Sequence, residues 1–353
     1  MEKIRVGIIG NGGISHCHMA GYKALGDRVE IVAVCDIDEA KCKAYAAQYG
    51  VPHTYTDYNE MMANEKLDCV SVCTWNAAHK GATIAALKGG ANVICEKPMA
   101  MNAAEAEEML AAAKEAGKLL QIGFVRRFGD DADTVKRFID SGNFGDVYYA
   151  KAMYLRRNGC PGGWFGDKKF SGGGPLIDLG VHVIDLSRYI AGCPKPVSAY
   201  GVTYKNLGMN RAESGSSDWE LSSSKDGYEY SVEDFAAAMV RFDNGFTINV
   251  EASFNLNTSG SGNLEVFGTK AGAKFSKPMA IATDMAGVFV DVTPQGDSTF
   301  NFDKAFKAEI KNFVDSSVGL DVCRAPGEDG LALMKILDAI YESAQTGKSV
   351  DID

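Results

Sequence analysis

The chain of 353 residues lacks three things: an apolar run long enough to cross a membrane, an excess of basic residues, and the paired-cysteine spacing of a zinc site. A membrane-spanning helix needs roughly 20 consecutive apolar residues, so no membrane partner is expected. Lys and Arg total 36 against 46 Asp and Glu, a formal charge of -10 with a pI near 5.1. That balance excludes the broad positive footprint by which proteins hold nucleic acid or other polyanions. The nine cysteines are scattered, and Cys35, Cys69, Cys73 and Cys95 fall in apolar strand-like runs. They read as buried reduced thiols, with no close pair followed by a second pair at metal-ligand spacing, so no metal is expected. The chain enters a strand pattern at once, without a basic leader followed by an apolar segment, and a cytoplasmic location is the expectation.

What is present is the composition of a globular protein, 46% hydrophobic and 23% charged, in a chain long enough for two domains. Ile4 to Ile9 is an apolar strand, followed by Gly10-Asn11-Gly12-Gly13-Ile14-Ser15 and a helical stretch to about Leu25. Val29 to Cys35 is the next strand and ends at Asp36. Gly10 permits a tight turn, Gly12 a close backbone approach to a pyrophosphate, and the following helix, entered through Gly13 and Ile14, offers amides to its charge. Asp36, 26 residues after Gly10, is placed to accept adenosine ribose hydroxyls and to repel a 2′-phosphate, which favours NAD over NADP. Ser15 stands where the strict fingerprint has a third glycine, so the helix is expected slightly farther from the sheet or with a different pyrophosphate contact. Arg5 and Arg28 are too peripheral to reverse the preference.

Strand and helix periods then alternate: Cys69 to Cys73, a helix over 77–88, Asn92 to Cys95, an alanine-rich helix over 103–116, and a short strand over 119–123. Short connections between such periods predict a doubly wound parallel sheet, the Rossmann arrangement, over 1–123. Thr74 and Asn76 follow one strand end, on the cofactor side. His79, in the next helix, reads as a surface or capping residue. Lys97, in Glu96-Lys97-Pro98, follows another strand, where the carboxyl ends of open α/β sheets bind ligands.

After residue 123 the pattern changes. A helix over 131–141 precedes a long strand from Val147 to Tyr154, and alternating stretches recur at 198–205, 236–242, 246–254 and 263–268. Aromatic and β-branched residues between Gly, Asn and Asp turns predict a large, mostly antiparallel sheet in an α+β domain over 124–328, with the long strands open to a homo-oligomer interface. Ser171-Gly172-Gly173-Gly174-Pro175 announces a turn before a helix reaching Tyr189. Asp178 and His182, four apart, share one face of that helix. Histidine titrates near neutrality and suits reversible proton transfer, which a neighbouring carboxylate can orient. Asp185 reads as structural.

In order and separation, Gly10-Asn11-Gly12-Gly13-Ile14 with Asp36, Glu96-Lys97-Pro98, and Gly173-Gly174-Pro175-Leu176-Ile177-Asp178-Leu179-Gly180-Val181-His182 resemble the family of glucose-fructose oxidoreductases, inositol dehydrogenases and related sugar dehydrogenases, over nearly the whole chain. The resemblance implies that Lys97, Asp178 and His182 line the reaction centre and that the Lys97-Pro98 bond is cis. It also implies that the helical run from about Asp329 to Ser343 folds back toward the nucleotide domain, making 329–353 a third segment. Trp75 departs from the proline common there in relatives, which puts the cofactor-side loop in question.

The resulting expectation is NAD-dependent interconversion of a secondary alcohol and a ketone on a sugar, glycoside or cyclitol. His182 takes the hydroxyl proton, Lys97 hydrogen-bonds the developing alkoxide, and Asp178 orients substrate or His182. Arg126, Arg127, Arg156, Arg157 and Trp164 are candidates to shape a pocket for a polyhydroxylated substrate, with Arg126, Arg156 and Trp164 foremost. Glu96 is grouped with the cofactor side. A dimer or tetramer is expected. Two alternatives stand beside this reading: tightly bound, recycling NAD serving a net elimination or coupled redox step, and a non-enzymatic NAD-binding regulator.

Overall fold

The computed structural model describes residues 2–208, 227–258 and 263–353. The chain divides into two compact units, Met1–Val125 with Asp303–Met334, and Arg126–Phe302 with Lys335–Asp353.

The first unit is built on six parallel strands: β1 (Ile4–Ile9), β2 (Val29–Cys35), β3 (His53–Tyr55), β4 (Cys69–Val72), β5 (Asn92–Glu96) and β6 (Leu120–Gly123). Their order is β3-β2-β1-β4-β5-β6. β4 and β6 are buried at every residue, Ser71 and Gln121 included, as expected of strands covered on both faces by crossover helices. Helices Gly13–Ala24, Glu39–Tyr49, Tyr58–Asn64, Asn76–Lys88 and Ala103–Ala116 make the crossovers. Asp38 and Asn102 cap two of them through their side chains. The strand order reverses between β1 and β4, which opens the crevice where such sheets take ligands.

Helix Phe302–Ser317 joins this unit through Ile310, Phe313 and Val314, which enter the core around Val6, Ile8, Met19 and Tyr22. Residues 303–328, assigned from the sequence to the second segment, therefore group with the nucleotide unit. The cause is an apolar helix face that completes a core begun three hundred residues earlier. Gly21 makes room for it, since a Cβ there would lie 2.7 Å from Ile310.

The second unit carries nine strands: β7 (Val147–Leu155), β8 (Pro196–Tyr204), β9 (Phe235–Phe242), β10 (Thr247–Ser253), β11 (Leu264–Gly268), β12 (Ala271–Lys274), β13 (Ala280–Met285), β14 (Val288–Val292) and β15 (Val350–Asp351). The order is β14-β13-β12-β11-β7-β10-β9-β8-β15, antiparallel except for the β7–β10 pair. One face is covered by helix Val181–Ile190 and the turn before it, and Ala150, Ala152, Val240, Ile248 and Val250 are buried there. On the other face Tyr200 pairs across to Met239, Met239 to Asn249, and Asn249 to Lys151. Tyr200 and Met239 are each 49% exposed, so the two-residue alternation divides a core side from an open side.

Candidate active site

At the carboxyl end of β1 the chain turns through Gly10, at φ +88°, where a Cβ would lie 2.6 Å from the Cys73 carbonyl carbon and oxygen. No other residue type fits that turn against the end of β4. Gly12 is extended and precedes helix Gly13–Ala24, which has no side-chain cap and no acidic residue in its first turn. The Asp36 carboxylate is buried and holds the loop from below: Oδ2 accepts the Asn11 amide at 2.7 Å and lies 3.3 Å from Lys41 Nζ, while Oδ1 accepts the Asp38 amide. The Asn11 side chain is 2% exposed, and neither its oxygen nor its nitrogen has a hydrogen-bond partner among the described residues. A buried amide left without partners costs free energy unless a ligand serves it. Uncapped amides, an orphaned side-chain amide and a carboxylate at the second strand end together fit a dinucleotide with free ribose hydroxyls.

Ser15 resolves its departure from the glycine fingerprint by burial. It is fully enclosed, and its hydroxyl donates to the Gly12 carbonyl at 2.6 Å, bracing the loop from inside the helix. Trp75 does likewise for the missing proline: its φ of -73° lies in the range a proline ring would impose, so the backbone keeps its course. Thr74, against Gly10, donates its hydroxyl to the Trp75 carbonyl, and Asn76 is buried at the start of the following helix.

Lys97 follows β5, and the Lys97-Pro98 bond is cis. Glu96 Oε2 accepts the Lys97 amide at 3.1 Å, and Oε1 lies 2.9 Å from His18 Nε2. His18 Nδ1 is 3.0 Å from Ser71 Oγ, itself 2.7 Å from the Tyr22 hydroxyl. One consistent direction of donation runs Tyr22 to Ser71 to His18 to Glu96, an assignment made from the network. Glu309 joins these groups: ligand atoms of His18, Glu96 and Glu309, all buried, lie within 4.8 Å of one another. Both ring nitrogens of His18 are already engaged, so the cluster reads as a hydrogen-bonded brace under Lys97.

In the second unit, Leu176–Gly180 forms a π-helical turn that runs into helix Val181–Ile190. Such turns recur at functional sites, and here one carries Asp178 into the helix of His182. Asp178 is buried at 8% exposure, and its amide bonds the Gly174 carbonyl. Glu233 fastens the turn: its carboxylate accepts the amides of Gly174 at 3.0 Å and Leu176 at 3.3 Å and the Tyr341 hydroxyl at 2.9 Å. The glycines are required by that clamp, because a Cβ on Gly173 would meet the Tyr341 hydroxyl at 2.1 Å and one on Gly174 the Glu233 carbonyl at 2.4 Å. Burial, then the facing Glu233 carboxylate, holds the Tyr341 phenol well above its ordinary range. The His182 ring lies 6.4 Å from that of Tyr154. Cys160 borders the same region, its thiol pushed up to about 11 by burial and by carboxylates that include Asp178 and Asp234, with Arg156 opposing them.

The arginine candidates separate. Arg127 is fully buried and forked onto Asp185, with Nε 2.9 Å from Oδ2 and Nη2 2.6 Å from Oδ1, so it secures the helix of His182 from inside the core. Arg126 pairs with Asp131 at 2.8 Å and lies over the Phe300 ring at 4.0 Å. Arg156 donates to the Gly159 carbonyl and lies near the Tyr154 ring. Trp164 stacks on Phe165 at 3.9 Å. His79, read from the sequence as a surface or capping residue, is 1% exposed. Glu233, Tyr341 and His18 went unread because each acts through a partner distant in sequence. The required pair Gly173-Gly174 was the one sequence signal of the clamp.

Residues 4–124 match the family described as oxidoreductase family, NAD-binding Rossmann fold, and residues 132–274 match the GFO/IDH/MocA C-terminal domain. Over 352 residues the chain is 33% identical to the D-glucoside 3-dehydrogenase of Escherichia coli (strain K12), covering 99% of this chain and 97% of that protein. It is 25% identical over 350 residues to the inositol 2-dehydrogenase of Salmonella paratyphi B, covering 98% and 96%. Levoglucosan dehydrogenase, solved in complex with NADH and levoglucosan, shares the fold with a TM-score of 0.84 at 23% identity, covering 99% of each chain.

Proposed function

The chain belongs to the GFO/IDH/MocA oxidoreductase family, and from that premise we propose that it is an NAD-dependent dehydrogenase that interconverts a secondary alcohol and a ketone on a sugar, glycoside or cyclitol. The observation that carries the cofactor half is the cradle after β1, with its uncapped helix start, its orphaned Asn11 amide and the buried Asp36 carboxylate at the end of β2. The sugar half is supported by likeness to a glucoside dehydrogenase along the full length of both units.

In this reading Gly10, Gly12, Gly13 and Ile14 receive the pyrophosphate, Asp36 the adenosine ribose, and Thr74, Asn76 and Glu96 border the nicotinamide end. NAD, when bound, accepts the hydride that leaves the alcohol carbon. His182 takes the proton from the hydroxyl, Asp178 orients the substrate or the His182 ring, and the Lys97 ammonium donates a hydrogen bond to the oxygen as negative charge grows on it. In the reverse direction His182 returns the proton to the ketone oxygen. Arg126, Arg156 and Trp164 are assigned to hold substrate hydroxyls and a ring face. The open face of the nine-stranded sheet, with Tyr200 and Met239 half exposed, is read as the surface where copies of the chain pair. A monomer in sedimentation would refute that part. All nine cysteines are free, which supports a reducing, cytoplasmic compartment.

The test is incubation of the protein and NAD with a panel of sugars, glycosides and cyclitols, following NADH absorbance and product mass together. Free NADH with loss of two hydrogens from one substrate is expected. Lys97→Met and His182→Ala should each lower kcat by about 100-fold or more while leaving NAD affinity near that of the unaltered protein. Unchanged turnover in either variant would remove that residue from the mechanism.

A further inference from the structure

Helix Asn76–Lys88 carries one buried titratable group that the proposed chemistry leaves unused. The His79 ring is 1% exposed, with Nδ1 2.7 Å from the Pro98 carbonyl oxygen and Nε2 3.1 Å from the Thr74 carbonyl oxygen. Those carbonyls belong to the turns after β5 and β4, neighbouring parallel strands. One turn presents Lys97, and the other lies against Gly10. We propose that His79 is a positioning residue for Lys97, bracing the Pro98 carbonyl so that the lysine backbone is held from the side opposite Glu96. The proposal deepens the dehydrogenase reading and rests on Lys97 acting in it.

The physical case begins with what each partner can do. Carbonyl oxygens only accept, so the ring must donate, and a neutral imidazole has one N–H. The shorter contact assigns that hydrogen to Nδ1, directed at Pro98. A second proton would let the ring donate to Thr74 as well. Burial opposes that charge most strongly, Lys97 opposes it too, and the two carbonyls and Glu96 favour it, with a net lowering of the ring's proton affinity. The neutral, Nδ1-protonated ring is therefore the working state at and above neutral pH. On the other flank Glu96, anchored by His18, accepts the Lys97 amide. Backbone on both sides of Lys97 is thus tied to a buried imidazole, and misplacement of a reacting group by about 1 Å can cost on the order of 100-fold in rate.

Two conservative variants separate this role from simple core filling. The side-chain nitrogen of Asn overlays Nδ1 of histidine and that of Gln overlays Nε2, so His79→Asn retains the donor toward Pro98 and His79→Gln retains the one toward Thr74. The expected result is kcat within about threefold of the unaltered protein for His79→Asn, and about 10-fold or more below it for His79→Gln, with NAD binding by fluorescence and substrate KM little changed in both. Equal losses in the two variants, or losses confined to KM and NAD affinity, would overturn the proposal. Nitrogen NMR of the labelled, unaltered protein at pH 8 reads the ring directly and covers the case in which neither variant folds. Hydrogen on Nδ1 supports the brace, and hydrogen on Nε2 overturns it. If no sugar yields NADH, the dehydrogenase reading fails by itself, and the ring spectrum still decides whether His79 holds Pro98.

Discussion

Removing the carboxylate of Asp185 should make the second unit unfold far more readily, although Asp185 takes no part in the proposed chemistry. Arg127 is 0% exposed and Asp185 2%, and the two are joined by three charge-assisted contacts of 2.6, 2.9 and 3.2 Å. In Asp185→Ala the guanidinium stays in the core without its counter-charge, and breaking one side of such a buried pair costs about 3–5 kcal/mol. Against a total stability of about 5–15 kcal/mol, that is a large fraction. With a urea slope of about 3 kcal/mol/M, the midpoint should fall by roughly 1–1.7 M. The pair itself contributes much less, because its desolvation offsets most of its attraction. The double variant Arg127→Met with Asp185→Leu should therefore recover most of the loss. Urea denaturation followed by circular dichroism on the two single variants and the double variant measures all three terms. A midpoint for Asp185→Ala within about 0.3 M of the unaltered protein, or a double variant no better than the single, would refute this reasoning. The consequence reaches the site, since Asp185 lies one turn from His182 on the same helix.

Asp36→Ser should raise the affinity for NADP relative to NAD by about 10-fold or more by removing a carboxylate that repels the 2′-phosphate. Lys41→Ala should move the ratio the other way by a smaller factor, because the Lys41 ammonium, 3.3 Å from Asp36, tempers that repulsion; fluorescence titration with both dinucleotides checks both shifts, and an unchanged ratio in Asp36→Ser would remove it from ribose recognition. Stability should also fall as the medium becomes mildly acidic. Burial lowers the proton affinity of His79, and burial followed by Lys41 lowers that of His16, each from an ordinary value of 6.5. The unfolded chain then binds protons more readily than the folded one, so their contribution is complete above about pH 6.5 and is lost as pH falls below it toward the folded-state values. Urea midpoints at pH 7.5 and 5.5 should differ in that direction and differ less in His79→Asn, and equal slopes in the two proteins would count against the assignment to His79.

The parts legible in the sequence are those written in neighbouring residues. Apolar-rich runs mark β1, β2 and β4 because both faces of those strands are covered over most of their length, and β9 is buried at alternate residues as in a sheet covered on one face. The helix Ala103–Ala116 was readable to its ends from its alanine-rich period. Gly10 and Asp36 were readable because a tight turn after one strand and a carboxylate after the next state a physical requirement at short range. His79 was misjudged because a helical position alone does not reveal burial, which here comes from the turns after two strands. The helix Phe302–Ser317 lies in a stretch assigned from the sequence to the second segment, and its apolar face, compatible with any core that needs filling, does not say which core it completes.

By itself, then, the sequence determined the parallel and antiparallel halves and the dinucleotide turn, and it offered the residues proposed to move a proton or steady an alkoxide. Local periodicity and turn chemistry act within a few residues and need no knowledge of the remainder. Only tertiary structure decided what holds those groups: His18 behind Glu96, His79 behind Pro98, Glu233 and Tyr341 behind the Gly173-Gly174 turn, and Arg127 behind Asp185. Each is a hydrogen bond or ion pair between residues far apart in the chain. Its strength comes from exclusion of water, which the order of residues does not record and the packed core imposes.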